Sequence, residues 1–445
     1  MRHIPQQLAD LGIAIPEILL PRPSLDLEKW AVIACDQFTQ DRAYWTQAAE
    51  RVGSAPSTLH LIFPEIYLED PGQTERIEGI HRAMRDYLRG NIFSAPQKGF
   101  IYLERRTPYH PCRRGLMLTV DLECYDWQVQ ARTLIRATEG TIAERLPPRM
   151  EVRRGATLES PHVILLIDDE ADTLLPALGS QAKAVRPPLY HTPLQGGGVS
   201  GWLLDTEDSW AYLAQGLQAL IHKTQDSAAA GDTFLFAVGD GNHSLASAKA
   251  IWEEYKCAHL GEPGLMAHPA RWALVEVENL YDPGIAFEPI HRLIFGADLQ
   301  AVLRLLSALP GFTHRPIARI EELVALVGDI KVAQSRLGLI AGTDLVLVEV
   351  ATSGLATDYL QPLLDAFLRD TPGTSVDYIH GEEHLYKSVG SSGVSSVGLL
   401  LPPVKKSGLF ETLSRRGPLP RKSFSMGEAL EKRFYFECRR LFGLH

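Results

Sequence analysis

The sequence predicts a mixed α/β protein, α+β in arrangement, whose central mixed sheet carries a glycine-rich loop at the end of one strand. Three observations lead there. Strand-length apolar runs alternate irregularly with helix-period stretches, so no continuous βαβ repeat is present. At 445 residues the chain exceeds what one core usually fills, which calls for two or three domains. One apolar run, residues 233–238, passes through Gly239-Asp240-Gly241-Asn242-His243-Ser244 directly into an amphipathic stretch. The expected regions are an N-terminal mixed α/β region (1–155), a central region holding the loop (156–300) and a C-terminal α/β region (301–445).

Taken in order, Ala31 to Cys35 is expected to be a short buried strand entered from Pro21-Arg22-Pro23, with Asp36 in the polar turn that follows. Residues 74–89 carry a helical pattern, and Phe100 to Glu104 with Leu116 to Leu122 read as an antiparallel pair. Residues 132–154 gather Arg132, Arg136, Arg145, Arg149, Arg153 and Arg154 around Gly and Pro turns. Charge runs usually face water, but arginine forks also match phosphate and carboxylate oxygens, so both readings stand. His162 to Ile167 is an apolar strand ending at Asp168-Asp169, a pair read as a turn rather than a metal site. Gly196 to Gly201 spells Gly-x-Gly-x-x-Gly, but Tyr190 to Gln195 before it reads as a loop. A dinucleotide fold is therefore rejected, and no Walker loop exists.

The segment from Thr233 to Trp252 is the most informative. Gly239 and Gly241 lack a Cβ and let a turn approach a ligand closely. Apolar Leu245, Ala248, Trp252 and Tyr255 fall on one helix face, leaving Lys249, Glu253 and Lys256 for water, so a helix should begin near Ser244. Its first N–H groups lack intrahelical partners and carry the positive end of the macrodipole, an anion site beside Asp240 and His243. The plainer alternative is a turn in which Asp240 or Asn242 is the N-cap, worth about 1 kcal/mol.

Further on, Arg271 to Asn279 is expected to be a strand, followed by the Tyr281-Asp282-Pro283-Gly284 turn and His291-Arg292. Leu299 to Leu309 reads as a helix and Leu337 to Val350 as a hairpin. His380 and His384 are read as a surface loop, and Ser388 to Gly398 as a Ser/Gly-rich stretch. Pro420 to Glu428 is a basic turn leading into a last helix, with Ser425 and Glu428 as a capping box.

Bulk properties narrow the function. Apolar residues at 45% and charged residues at 22% are ordinary for a globular enzyme. No run reaches the roughly 18 apolar residues of a membrane span, and no signal-like segment opens the chain, so a cytoplasmic location is expected. Five dispersed cysteines, with no Cys-x-x-Cys pair, encode neither a disulfide framework nor a zinc ribbon. A formal charge of −10 argues against broad adhesion to nucleic acid, though a local basic patch can hold a small anion.

Asp240-Gly241-Asn242-His243, taken with Arg136-Ala137-Thr138-Glu139-Gly140-Thr141, Leu146-Pro147-Pro148-Arg149 and His291-Arg292, resembles the bacterial domain-of-unknown-function family 1015 over nearly the whole chain. The box is also similar to the phosphate-holding loop of the ParB, sulfiredoxin and ADP-dependent free serine kinase superfamily. Where the kinases carry Asp-Gly-His-His-Arg, this chain has Ser244 in place of the arginine, and Arg136, Arg149 or Lys249 are the substitutes at hand. Sulfiredoxin's cysteine is absent from the box.

The resemblance implies a ParB/sulfiredoxin-like core with added α/β subdomains and phosphoryl transfer to a small hydroxyl compound, free serine or phosphoserine first among them. ATP, ADP or pyrophosphate would be the phosphate donor or acceptor. Asp240 and His243 would act in catalysis, with Mg²⁺ on Asp240, and either Asp36 or Glu139 would be the base that accepts the hydroxyl proton. Phosphate would be bound by Gly239, Gly241, Asn242, Ser244, Arg136, Arg149, His291 and Arg292. The expected partner is a phosphate-bearing small molecule, with no membrane or nucleic acid. The alternatives are a nucleotide-sensing or DNA-associated ParB-like protein and a phosphate ester hydrolase.

Overall fold

The computed structural model describes residues 3–141, 143–227, 233–329, 335–352, 355–389 and 395–443. The chain forms two compact units: Met1–Ile285 with Phe410–Pro418 and Glu428–His445, and Ala286–Leu409 with Leu419–Gly427.

The first unit is built on a ten-stranded sheet. Its strands in chain order are β1 (Ile13–Ala14), β2 (Phe100–Arg106), β3 (Arg113–Asp121), β4 (Tyr125–Asp126), β5 (Ile135–Ala137), β6 (Ile164–Ile167), β7 (Tyr190–Leu194), β8 (Gly197–Leu204), β9 (Phe236–Asp240) and β10 (Trp272–Asn279). They run β7-β8-β2-β3-β10-β6-β9-β5-β4, with β1 against β3. The expected hairpin of β2 and β3 is present, Ile101 lying opposite Met117.

Pairing is mixed, as expected. β6 runs parallel to β10 and antiparallel to β9, while β9 runs parallel to β5. The carboxyl ends of β5 and β9 and the amino end of β6 therefore share one edge. All four residues of β6 are buried, which suits a strand covered on both faces.

One reading is corrected here. Tyr190 to Leu194 is a strand, paired with β8 around Gly196, and not a loop. Pro193 misled the reading because it cannot donate to a ladder, but β7 is the outermost strand of the sheet, where proline is tolerated. The glycines of 196–201 lie in this hairpin, so the rejection of a dinucleotide loop stands.

Helices α1 (Gln73–Arg89), α2 (Pro147–Arg153), α3 (Leu174–Val185), α4 (Glu207–Ser227) and α5 (Asn242–Ala258) belong to this unit. α5 starts two residues earlier than expected and buries Leu245, Ala248, Ile251 and Trp252 on one face. Lys249 and Lys256 are not on an open face: both bond Glu253, and Lys256 also reaches Glu123 at 2.7 Å. The Arg-rich run is likewise largely paired. Arg153 bonds Glu159, and Arg154 bonds Glu151 and Glu254. The Arg145 side chain lies outside the description. Asp168-Asp169 is a turn, Asp169 accepting from the N–H groups of Thr173 and Leu174 at 2.8 Å each.

The second unit holds a seven-stranded antiparallel sheet. Its strands are β11 (Phe287–Phe295), β12 (Thr313–Ile317), β13 (Arg336–Ala341), β14 (Asp344–Glu349), β15 (Ser375–His380), β16 (Ser396–Leu400) and β17 (Phe424–Met426). They run β12-β14-β13-β16-β11-β15, with β17 on β11, and β13 and β14 are the expected hairpin. Helices α6 (Leu299–Leu306) and α8 (Ala356–Asp370) bury Leu306 and Leu360 with Leu339 and Val348. Helix α7 (Ile320–Gly328) buries Leu323 with Ile340 and Leu347. Alternate residues of β13 and β14 thus feed two cores, the period-2 rule of a sheet covered on both sides.

His384 sits in a short helix, Glu382–Ser388, rather than a loop. The Ser/Gly-rich stretch falls largely on residues 390–394, outside the described residues. Ser425 is not an N-cap either. It lies in β17, its hydroxyl donating to Gly427 O at 3.0 Å, and Glu428 instead forms a reciprocal cap with Glu431 over a single 3₁₀ turn. Pairing of Phe424 and Met426 with β11 outweighs the local capping signal.

Candidate functional site

The expected loop lies at the shared sheet edge, between β9 and α5. Its two glycines do different work. Gly239 is inside the strand, where the register slips by one residue: Ile164 faces Asp240 and Leu165 faces Val238. Such a bulge turns the following side chain out of the regular ladder. Gly241 is the helix N-cap at φ 78°, a left-handed conformation that favours glycine, and a Cβ there would lie 3.0 Å from Val163 Cγ2. Neither Asp240 nor Asn242 is the N-cap; that position is Gly241, which has no side chain to bond the first turn of α5. Its first-turn N–H groups have no carbonyl four residues back within the helix.

Asp240 ends the strand with a half-buried carboxylate. Oδ2 has no hydrogen-bond partner and lies 3.7 Å from Nζ of Lys432, whose side chain is 8% exposed. Burial raises the Asp240 carboxyl above its ordinary value, and Lys432 offsets this only in part because Asp36 adds a second negative charge. Asp36 goes the other way. Burial pushes it up, but His162, the Gln37 amide and Lys432 together hold it below the usual carboxylate value.

His162, just before β6, joins these groups to the helix. Its Nε2 is 2.8 Å from Ser244 Oγ and 3.9 Å from Asp36 Oδ2, and its Nδ1 is 2.8 Å from Tyr435 OH. Tyr435 accepts from the Cys35 N–H at 3.2 Å, and burial keeps its phenol protonated far above the usual range. A neutral His162 that accepts from Tyr435 at Nδ1 carries its proton on Nε2 and donates to Ser244, and in that tautomer the serine hydroxyl proton faces outward.

His162 and Ser244 also line a cavity of about 150 Å³. Its walls are mostly apolar, with Arg149 bound to Glu65 at one place and Arg153 bound to Glu159 at another. Burial raises the Glu65 carboxyl and Arg149 lowers it, the first effect being the larger. Burial pushes the Cys35 thiol up as well, so it is not a thiolate at neutral pH.

The expected site residues divide into those gathered here and those used elsewhere. Asp240, Gly241, Asn242, Ser244 and Asp36 converge at the edge, with Arg149 on the cavity wall. Asn242 Nδ2 reaches Thr138 Oγ1 at 3.4 Å, which ties in the loop after β5 that also carries Glu139. His243 is half-buried on the first turn of α5, and His162 is a histidine of the charged cluster.

Arg136 is drawn back toward the start of its strand, its Nε donating to Thr133 O at 3.0 Å and its guanidinium 4.6 Å from the Phe234 ring centre. His291 and Arg292 belong to the second unit. Arg292 is fully buried on Gln361 Oε1, Ile290 O and Lys422 O, and His291 Nδ1 accepts from Leu401 N at 3.1 Å. These three are interior anchors of their sheets.

The donor set does not fit a resident Mg²⁺ on Asp240. Among the described residues no three His, Cys, Asp or Glu side chains converge on a metal position, and the charge facing Asp240 is the Lys432 ammonium. A divalent cation would enter with a nucleotide, as part of the substrate.

Sequence reading missed His162, Lys432 and Tyr435. The available signal was in the C-terminal stretch Lys432-Arg433-Phe434-Tyr435-Phe436-Glu437, where charges flank an aromatic run that has to be buried.

Residues 19–353 match the family described as "Protein of unknown function (DUF1015)". No curated protein matches the chain. Among solved structures, a conserved hypothetical protein from Pyrococcus furiosus is 12% identical, with TM-score 0.35, over 72% of this chain and 90% of that one. A free serine kinase in complex with AMP is 11% identical, with TM-score 0.37, over 72% and 90% respectively. SbnI with C-terminal truncation from Staphylococcus aureus is 10% identical, with TM-score 0.34, over 70% and 82%. No helix among the described residues is long and apolar enough to cross a membrane. With three quarters of its length matched by one family, the chain belongs to the DUF1015 family of proteins of unknown function.

Proposed function

We propose that this protein transfers a phosphoryl group from a nucleotide or pyrophosphate to a small hydroxyl compound at the edge formed by β5, β6 and β9. The observation that carries the reading is the Asp240 carboxylate, its buried Oδ2 without a hydrogen-bond partner and 3.7 Å from Lys432, beside the start of α5 at Gly241. Phosphoryl transfer needs positioning and charge neutralisation more than covalent chemistry. Lys432, the first-turn N–H groups of α5 and the outward hydroxyl of Ser244 supply donors for phosphoryl oxygens. Asp240, with its raised proton affinity, accepts the hydroxyl proton. The acceptor oxygen bonds to phosphorus as the bond to the leaving phosphate oxygen breaks, and the leaving group carries the electron pair away toward Lys432.

Free serine is the first acceptor to assay and phosphoserine the first substrate for the reverse direction, following the likeness of the Asp240-Gly241-Asn242-His243 box to that of the serine kinases. The test is incubation with ATP, ADP or pyrophosphate, Mg²⁺ and a panel of hydroxy amino and hydroxy acids, with products identified by mass. A phosphorylated acceptor that disappears with Asp240→Asn supports the reading. Release of inorganic phosphate alone would make it a hydrolase. The absence of both, with no donor bound in calorimetry, would overturn it.

A further inference from the structure

Arg153 is the unusual group of the cavity wall. Its Nη1 donates to Glu159 Oε1 at 2.6 Å, but Nε and Nη2 are buried and have no hydrogen-bond partner. These two nitrogens form the side of the guanidinium whose parallel N–H bonds match an oxyanion bidentately. Glu159 does not balance the charge there, because it is shared. Its Oε2 also accepts from Arg439 Nε at 2.7 Å and from Leu274 N at 3.0 Å. Arg439 is otherwise satisfied, donating to Pro269 O at 3.0 Å and to Trp272 O. Elsewhere on the wall Arg149 bonds Glu65. One carboxylate thus serves two guanidiniums, and one positive charge with a bidentate donor face remains over.

Most of the rest of the wall is apolar: Leu61, Phe63, Met84, Leu158, Leu245 and Leu274 among others. A cavity near 150 Å³ holds a benzene-sized group. We infer that it binds a small carboxylate with a branched aliphatic or aromatic body, the carboxylate on Arg153 and the body among these side chains. A monoanion cancels the residual charge, whereas a phosphate dianion leaves a new one uncompensated in an apolar wall.

Ser244 and His162 line the same cavity, so the inference deepens the proposed function by naming its acceptor class, a hydroxycarboxylic acid with an apolar body. The acceptor role rests on that proposal. Binding itself does not. Serine carries the required carboxylate and hydroxyl but leaves the apolar space empty.

The test is calorimetry on the full chain without nucleotide, with 3-phenyllactate as probe and phenethyl alcohol, phenyl phosphate and serine as comparators. 3-Phenyllactate is expected to bind at least about tenfold more tightly than each comparator, the loss expected when a charged hydrogen-bond pair or the apolar body is missing. Arg153→Lys, which keeps the charge but loses the fork, should weaken binding by about tenfold or more, and Arg153→Gln further. Ala248→Leu, which fills the cavity from α5, should abolish it while leaving the fold intact. Equal binding by Arg153→Lys, equal or tighter binding of phenethyl alcohol or phenyl phosphate, or no binding of 3-phenyllactate would each overturn the inference. No donor is present, so a failure here leaves phosphoryl transfer to be judged on Asp240, and absence of transfer to a bound 3-phenyllactate counts against the transfer reading alone.

Discussion

Two groups of buried charge in the first unit are built on opposite terms. Around Arg433 every charged side chain is hydrogen-bonded: the guanidinium bonds Glu276 and Glu437 and donates to Pro161 O at 3.1 Å, and Glu437 also accepts from Tyr190 OH. At the end of β9 the accounting is incomplete. Asp240 has a bare oxygen, Lys432 faces it at 3.7 Å, and Ser244 and His162 share a single hydrogen bond. Both groups draw on the same C-terminal stretch, Lys432 and Arg433 being adjacent in sequence. The difference separates charge that holds the fold from charge held ready for a ligand, since an unpaired buried polar group is retained at a cost in stability.

The largest effect should come from breaking the complete network. Arg433→Ala leaves Glu276 and Glu437 buried without their cation and should destabilise the first unit by about 3 to 5 kcal/mol in chemical denaturation. A loss below about 1 kcal/mol would mean that the network contributes no more than a surface pair, and the contrast would collapse.

The incomplete region should behave in the opposite way. Asp240→Asn is expected to lower phosphoryl transfer by about a hundredfold or more and leave the melting temperature unchanged or higher, because it removes a buried carboxylate lacking a full set of partners. Its pH dependence has a definite sign. Burial raises the Asp240 carboxyl in the folded state, so the folded protein holds the proton more tightly than the unfolded chain. The stabilising contribution is complete below the unfolded value of 3.8 and is lost as pH rises through the folded value. The stability difference between wild type and Asp240→Asn should therefore move against the wild type as pH rises from that value, then level off. A difference that favours the wild type with rising pH would show an Asp240 held ionised by its neighbours.

How much of this was legible follows from sequence distance. The strand, the glycine turn and the amphipathic helix from Phe236 to Trp252 are contiguous, and their periodicity is local information. The partners that define the chemistry are not: His162 reaches Ser244 across 82 residues and Tyr435 across 273. A lone histidine ahead of an apolar strand, or a lysine in a C-terminal basic run, carries no local sign of what it will face. The same holds for the misplaced anion ligands. Arg136 and Arg292 look like exposed phosphate forks in sequence, and only the tertiary structure commits them to Phe234 and Gln361.

A smaller effect should separate backbone from charge at the loop. Gly241→Ala places a Cβ at φ 78° and 3.0 Å from Val163, and should cost about 1 to 2 kcal/mol while shifting the start of α5. If activity falls in proportion to stability, the loop acts through its shape. If activity falls much further, the placement of the first-turn N–H groups is what the substrate reads.

A smaller effect still belongs to Ser244. Removing its hydroxyl deletes one hydrogen bond, the 2.8 Å contact with His162, on a half-buried residue, so Ser244→Ala should cost no more than about 1 kcal/mol. The tautomer argument gives the substitution a second readout. In the tautomer where Tyr435 donates a hydrogen bond to Nδ1, the Ser244 proton is free for a phosphoryl oxygen, and its loss should raise the KM for the phosphate donor several-fold at nearly constant kcat, the signature of a contact made equally in ground and transition states. Tyr435→Phe provides the check. It releases Nδ1 from its donor and lets His162 take the other tautomer, so that Nε2 accepts from Ser244 and turns its proton inward. Donor KM should then rise in Tyr435→Phe even though Tyr435 is not placed to touch the donor, and the double variant should be no worse than Ser244→Ala alone. Additive losses would place the two residues on separate tasks and remove His162 as the link between them.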